Sequence, residues 1–194
     1  EHVHGKTGLD GTELSVKKKE LELMSGVDFI IDCIEKYRDE KITICALGPL
    51  TNIAKVLTKS TIVKDSVEEI VLMGGGFFEG GNITPAAEFN IYVDPEAAKI
   101  VLGSGVKITM LPLDVTHKTL VQRDFLERLR DSGKNSAMEA AKLLDFFERY
   151  DVEKYGSQGG PLHDPNVIVY LLNPEIYKGK LVNVEIEVNS ELTR

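Results

Sequence analysis

The chain has 194 residues, 42% of them hydrophobic, and a formal charge of −8 from 23 Lys and Arg against 31 Asp and Glu. That is enough apolar material for an ordinary globular domain without disulfides or structural zinc, and the acidic balance disfavours nucleic acid or an anionic membrane as partner, because either would repel it. Cys33 and Cys45 each lie in an apolar run and read as buried thiols, no stretch approaches the roughly 20 apolar residues of a membrane span, and Glu1-His2-Val3-His4 lacks a signal pattern, so a soluble, cytoplasmic protein is expected.

In chain order, Gly26 to Arg38 carries Val27, Phe29, Ile30, Ile31, Cys33, Ile34 and Tyr37 with the spacing of one wide apolar helical face. Ile42 to Leu47 is β-rich and ends at Gly48-Pro49, and helical spacing resumes from Leu50 to Leu57. Ile70 to Met73 is a second apolar run, closed by three glycines. Asp94-Pro95-Glu96 predicts a helix start: Asp accepts from free N–H groups, Pro tolerates the first turn, and Glu favours its positive end. That helix should stop at Gly103. Val106 to Leu113 is the third apolar run, followed by a helical region from Gln122 to about Tyr155, broken near Ser132-Gly133. Asp164-Pro165 opens another helix to Leu172, and the alternation of Val182, Val184, Ile186 and Val188 predicts a last strand over Leu181 to Val188. Continuous apolar strands alternating with helices point to an α/β fold, a mostly parallel, Rossmann-like sheet with helices on both faces, in one structural unit. Ligands of such sheets bind beyond the carboxyl ends of the strands, where Gly48 to Asn52, Gly74 to Gly76 and Asp114 should converge.

The loop from Gly74 to Asn90 is long for a connection, and its glycines match neither the dinucleotide nor the phosphate-loop spacing. It carries Asn82, Glu88 and Asn90, which together donate to and accept from hydroxyl groups, as a sugar needs; equally, such residues simply make turns. His163-Asp164 combines a proton donor near neutral pH with a carboxylate suited to hydroxyls or a hard cation, or else Asp164 caps its helix and His163 packs. Asp114 either joins the site or caps a turn. There is no Ser nucleophile elbow and no zinc-spaced cluster, so hydrolysis would need water activated by a metal, and the oxygen donors suit calcium or magnesium.

Taken in order, Gly48-Pro49-Leu50-Thr51-Asn52-Ile53-Ala54, Val71-Leu72-Met73-Gly74-Gly75, Gly81-Asn82-Ile83-Thr84-Pro85-Ala86-Ala87-Glu88-Phe89-Asn90, Asp94-Pro95-Glu96-Ala97-Ala98 and Leu162-His163-Asp164-Pro165 resemble the inosine-uridine preferring nucleoside hydrolases. His4-Gly5 with Gly8-Leu9-Asp10-Gly11 resembles that family's stretch just upstream. The resemblance implies the family's α/β fold and hydrolysis of the N-glycosidic bond of a ribonucleoside, with calcium-bound water attacking as the bond breaks through an oxocarbenium-like state. It implies that the Leu47 carbonyl and the Asp164 carboxylate hold Ca2+, that Asn82, Glu88, Asn90 and Asp164 grip ribose hydroxyls, and that Met73 lies beneath the sugar. Phe89 and His4 would line the base side, His163 would protonate the departing base, and Tyr150 or Tyr155 would sit in a flap over it. The partner is then a small-molecule nucleoside, inosine, uridine or related, and the assembly a homodimer or homotetramer. The family's aspartate-rich opening segment has no counterpart in this chain, and related sequences continue beyond its last residues. Residues 1–194 therefore read as the central portion of such a domain, incomplete at both ends. A non-catalytic nucleoside- or ribose-binding relative is the second reading.

Overall fold

The strand Val67–Met73 shows how the pattern becomes architecture. In the computed structural model, which describes residues 5–12, 14, 20–155 and 159–190, the elements run α1 (Gly26–Lys36), β1 (Ile42–Ala46), α2 (Thr51–Lys59), α3 (Val63–Ser66), β2 (Val67–Met73), α4 (Phe89–Val93) and α5 (Pro95–Leu102). They continue with β3 (Ile108–Leu111), α6 (Leu113–Thr116), β4 (Leu120–Val121), α7 (Arg123–Asp131), α8 (Asn135–Tyr155), β5 (Gly160–Pro161) and α9 (Pro165–Leu172). Strands β1, β2 and β3 form a parallel sheet in that order. Parallel neighbours need crossovers, here α2 with α3, then α4 with α5.

Side chains of β2 alternate between two cores. Ile70 and Leu72 pack with Ile34, Val56 and Ala98 of the helices on one face, whereas Val71 and Met73 pack with Leu111, Leu113 and Val167 on the other. Helices therefore cover both faces, as the continuous apolar strands imply. Burying Ile70, Val71 and Leu72 completely stabilises by about 1.5–3 kcal/mol each. Val67 shares the face of Ile70 because the register shifts between Ile42 and Thr43, leaving Glu68 as an extra residue. Ser25 caps α1 through the Asp28 amide (3.2 Å) and Asp94 caps α5 through that of Ala97 (3.0 Å), as the Asp-Pro signal predicts; Thr51 also donates to Asp94, tying the start of α2 to the start of α5.

Two expectations need correction. No strand forms over Leu181 to Val188: this stretch runs without a ladder, Val182 and Val184 are exposed, and only Ile186 of the four packs against the core among the described contacts. Alternation supplies a face, but a strand also needs a partner for its backbone groups, and none pairs with it among the described residues. Strand β2 begins at Val67, three residues before the apolar run, because Glu68 and Glu69 disguise its start. Cys33 and Cys45 are free thiols and half-buried, and burial pushes the Cys45 thiol up.

The described chain divides into two compact units, Leu21–Val115 with His163–Arg194, and Glu1–Glu20 with Thr116–Leu162. The sheet belongs to the first. In the second, α7 and α8 bury Val121, Leu126 and Ala141, and β4 pairs antiparallel with β5. No helix among the described residues is long and apolar enough to cross a membrane.

Candidate active site

The site grows from the carboxyl end of β2. Beyond Met73 the chain keeps bonding to its neighbour, Gly74 N–H donating to the Leu111 carbonyl (3.3 Å) and Leu113 N–H to the Gly75 carbonyl (2.9 Å). Gly75 has φ +74°, a conformation that favours glycine, whereas a Cβ there would meet only the end of the flexible Met110 side chain. Its N–H then points at Glu88.

Glu88 caps α4. Its Oε2 accepts from the Asn90 N–H (3.0 Å) and the Gly75 N–H (3.0 Å), and the residue is 3% exposed. Burial pushes the carboxyl above its usual range, the N–H groups of Asn90, Gly75 and Ile91 pull it back only in part, and the negative charge of Asp164 adds to the rise. Asp164 is therefore within electrostatic reach of Glu88.

Two amides flank this carboxylate with their halves fixed by partners that permit one assignment only. Asn90 Nδ2 donates to the Met73 carbonyl (3.1 Å) and lies 3.5 Å from Met73 Sδ, so its Oδ1 is the acceptor that remains. Asn82 Oδ1 accepts from the Phe89 N–H (2.9 Å), so its NH2 is the donor that remains. With the Glu88 carboxylate, the set offers both a donor and acceptors, a complement for hydroxyl groups.

Asp164 arrives on the other side of the sheet end, at the start of α9, whose Val167 packs with Met73. Its backbone is already helical (φ −63°, ψ −37°) and its carboxylate makes no capping bond, so the capping role weighed for it from sequence is not realised. His163 precedes it, half-buried, with its carbonyl accepting from Asn166 N–H (3.2 Å). Asn166, 2% exposed, accepts from the Tyr177 hydroxyl (2.8 Å at Oδ1), which anchors this turn. Leu47 follows β1 directly; since Ala46 pairs with Leu72, it stands level with Met73.

The structure thus brings Met73, Asn82, Glu88, Phe89, Asn90 and Asp164 together through bonds and electrostatic proximity, with His163 adjoining Asp164. Phe89 is half-exposed beside Glu88. His4 lies outside the described residues, as do the side chains of Tyr150 and Tyr155. Asp10 belongs to the other compact unit, where its carboxylate accepts from the Lys6 and Thr7 amides (3.1 and 3.2 Å) and closes a local turn. Asp114 takes the capping alternative weighed for it, though on a loop distant in sequence: it accepts from three loop amides, those of Phe77, Phe78 and Glu79. Sequence reasoning also missed the Gly75 amide and Tyr177; the only signal for the first was the glycine triplet. Among the described residues no group of three or more His, Cys, Asp or Glu is arranged to hold a metal ion.

Comparison with known proteins decides the lineage. The family model described as inosine-uridine preferring nucleoside hydrolase matches residues 1–194. The chain belongs to that family. An uncharacterized Schizosaccharomyces pombe protein is 47% identical over 192 residues, 99% of this chain and 62% of that protein. A Shewanella protein named pyrimidine-specific ribonucleoside hydrolase RihA is 45% identical over 194 residues, all of this chain and 60% of that one. Among solved nucleoside hydrolase structures, the purine-preferring ribonucleoside hydrolase from Gardnerella vaginalis superposes with a TM-score of 0.92 at 33% identity, over 98% of this chain and 60% of its own. A plant nucleoside hydrolase superposes with a TM-score of 0.86 at 33% identity, over 91% and 55%. The chain thus spans about 60% of the length of the curated relatives it matches.

Proposed function

We propose that the protein hydrolyses the N-glycosidic bond of ribonucleosides to free base and ribose. The observation that carries this reading is the polar set beyond β2: a buried carboxylate held by amides, the Asn82 NH2 and the Asn90 carbonyl oxygen, all within one bonded network. A pentose offers hydroxyls that donate and accept at once, and this set answers both. As the bond to the base breaks, positive charge builds on the sugar ring, and the Glu88 and Asp164 carboxylates stabilise it more than they stabilise the neutral substrate. Met73 forms the floor beneath the sugar, Phe89 faces the base, and His163 protonates the departing base, a step that matters more for purines than for uridine. The relatives' names include a pyrimidine-specific and a purine-preferring enzyme, so inosine and uridine are the substrates to compare.

A hard divalent cation, Ca2+ by donor type, belongs to this reading, with the Leu47 carbonyl and the Asp164 carboxylate as two ligands. Two oxygens fall short of the roughly six to eight that calcium takes, so this set does not make a site and no step is assigned through the ion. The second reading is a relative that binds nucleoside or ribose without cleaving it. Residues 1–194 are taken as the central portion of the catalytic domain, in a cytoplasmic homodimer or homotetramer. A calcium-dependent assay of inosine and uridine cleavage by the whole protein separates the readings: ribose release supports the hydrolase, and ribose binding without release supports the binder. In the hydrolase, His163→Ala slows inosine cleavage by about 100-fold or more, and an unchanged rate removes its role as acid.

A further inference from the structure

The loop from Gly74 to Asn90 has two limbs that are held differently. The returning limb braces itself: Gly81 N–H donates to the Pro85 carbonyl (3.0 Å), Ala87 N–H to Thr84 Oγ1 (2.9 Å), and Phe89 N–H to Asn82 Oδ1 (2.9 Å). The outgoing limb, Gly76 to Gly80, folds so tightly that a Cβ on Gly76 would lie 1.8 Å from the Gly80 carbonyl oxygen. Burial does not hold it, since Phe77 and Phe78 are 69% and 89% exposed and stack edge to face on each other. What reaches it is Asp114, at the start of α6: Oδ2 accepts from the Phe77 N–H at 2.7 Å, and Oδ1 from Phe78 at 2.7 Å and Glu79 at 3.3 Å. One carboxylate gathering three consecutive amides fixes their orientation, because each bond is charge-assisted and directional.

Asp114 is itself well placed for this. Leu113 N–H bonds to the Gly75 carbonyl, so the residue before the clamp is locked to the base of the loop. Burial acts to raise the Asp114 carboxyl, the loop amides outweigh it, and the group stays below its usual range, ionised wherever the protein is folded near neutral pH. The limb so fixed leads directly into Gly81 and Asn82.

We infer that Asp114 is a positioning residue: by clamping the Phe77–Glu79 backbone it sets where Asn82 stands relative to Glu88 and Asn90, and so sets the affinity for the pentose. The inference rests on the ribonucleoside reading above. It is tested in the whole protein with Asp114→Ala and Asp114→Asn, by hydrogen exchange of the loop amides, titration with free ribose, and the split between KM and kcat for inosine. For Asp114→Ala the clamp predicts loss of protection at Phe77 to Glu79, roughly tenfold weaker ribose binding, and a KM raised by a similar factor with a smaller change in kcat. Asp114→Asn keeps one accepting oxygen, so it should fall between Ala and wild type, and it carries the test if Ala does not fold. Unchanged protection, or lost protection with unchanged ribose affinity and KM, overturns the positioning role. A wild-type protein that binds neither ribose nor nucleoside defeats the ribonucleoside reading and the positioning role with it, an outcome that the wild-type titration alone identifies.

Discussion

Two glutamates mark the two ends of the central strand, and both are buried. Glu69, 7% exposed at the start of β2, faces the Lys107 ammonium (3.1 Å) and accepts from the Thr109 hydroxyl on β3. Glu88, 3% exposed beyond the end of β2, has backbone N–H groups as its hydrogen-bond partners and the negative Asp164 within reach. The contrast separates scaffold from site. A carboxylate answered by a cation and a hydroxyl is complete within the fold. One met by backbone amides alone, with no cation against it among the described residues and kept above its usual range by burial, is the kind of group that a bound ligand can answer.

The largest effect that could break this contrast is on turnover. Glu88→Gln keeps an oxygen for the Gly75 and Asn90 amides but removes the charge, so kcat/KM for inosine should fall by about 100-fold or more, with the fold intact by circular dichroism. Unimpaired turnover would make Glu88 a capping residue and nothing else.

Next comes the pH dependence of stability. Because the folded-state pKa of Glu88 lies above its unfolded value, the folded protein holds the proton longer, and stability falls as pH rises from the ordinary carboxylate range through the raised pKa. Asp94 and Asp114 are shifted the other way, so their contribution is present above the ordinary aspartate range and is lost as pH falls below it. Melting temperature against pH should therefore pass through a maximum, and Glu88→Gln should flatten its higher-pH flank. A flank that persists unchanged in the variant assigns it to another group.

A smaller change is expected from Asp164→Asn. Burial, more than the Asp164 charge, raises Glu88, so the variant should move that flank only slightly toward acid; a shift as large as that of Glu88→Gln would reverse the ranking of causes. Smallest is the scaffold glutamate: Lys107 is largely solvated, so Glu69→Gln should shift the urea-unfolding midpoint only modestly and leave kcat/KM unchanged. A large loss of activity would erase the distinction between the two ends of β2.

The sheet was legible because its signals were local: glycine-closed apolar runs for the strands, and Asp94-Pro95 and Asp164-Pro165 for two helix starts. Loop residues Asn82, Glu88 and Asn90 stood out by type, yet their halves could be assigned only from their partners, Phe89 N–H and the Met73 carbonyl, since donor and acceptor ends are not written in an asparagine's name. Asp164 was ambiguous because a cap and a ligand share the same residue; its backbone conformation decided against the cap. Asp114 gave no warning of its clamp, because its three partners lie 35 to 37 residues away and are backbone groups, which every sequence has. The last strand failed for the complementary reason: Val182 to Val188 has the right period but pairing is not a local property.

The central claim is that one carboxylate and two amides beyond β2 form a seat for ribose. Isothermal titration of ribose into the whole protein with Ca2+, wild type against Glu88→Gln, tests it most directly. The account predicts saturable binding to the wild type, weakened by about 100-fold or to undetectable levels in the folded variant; equal binding by both proteins would contradict it.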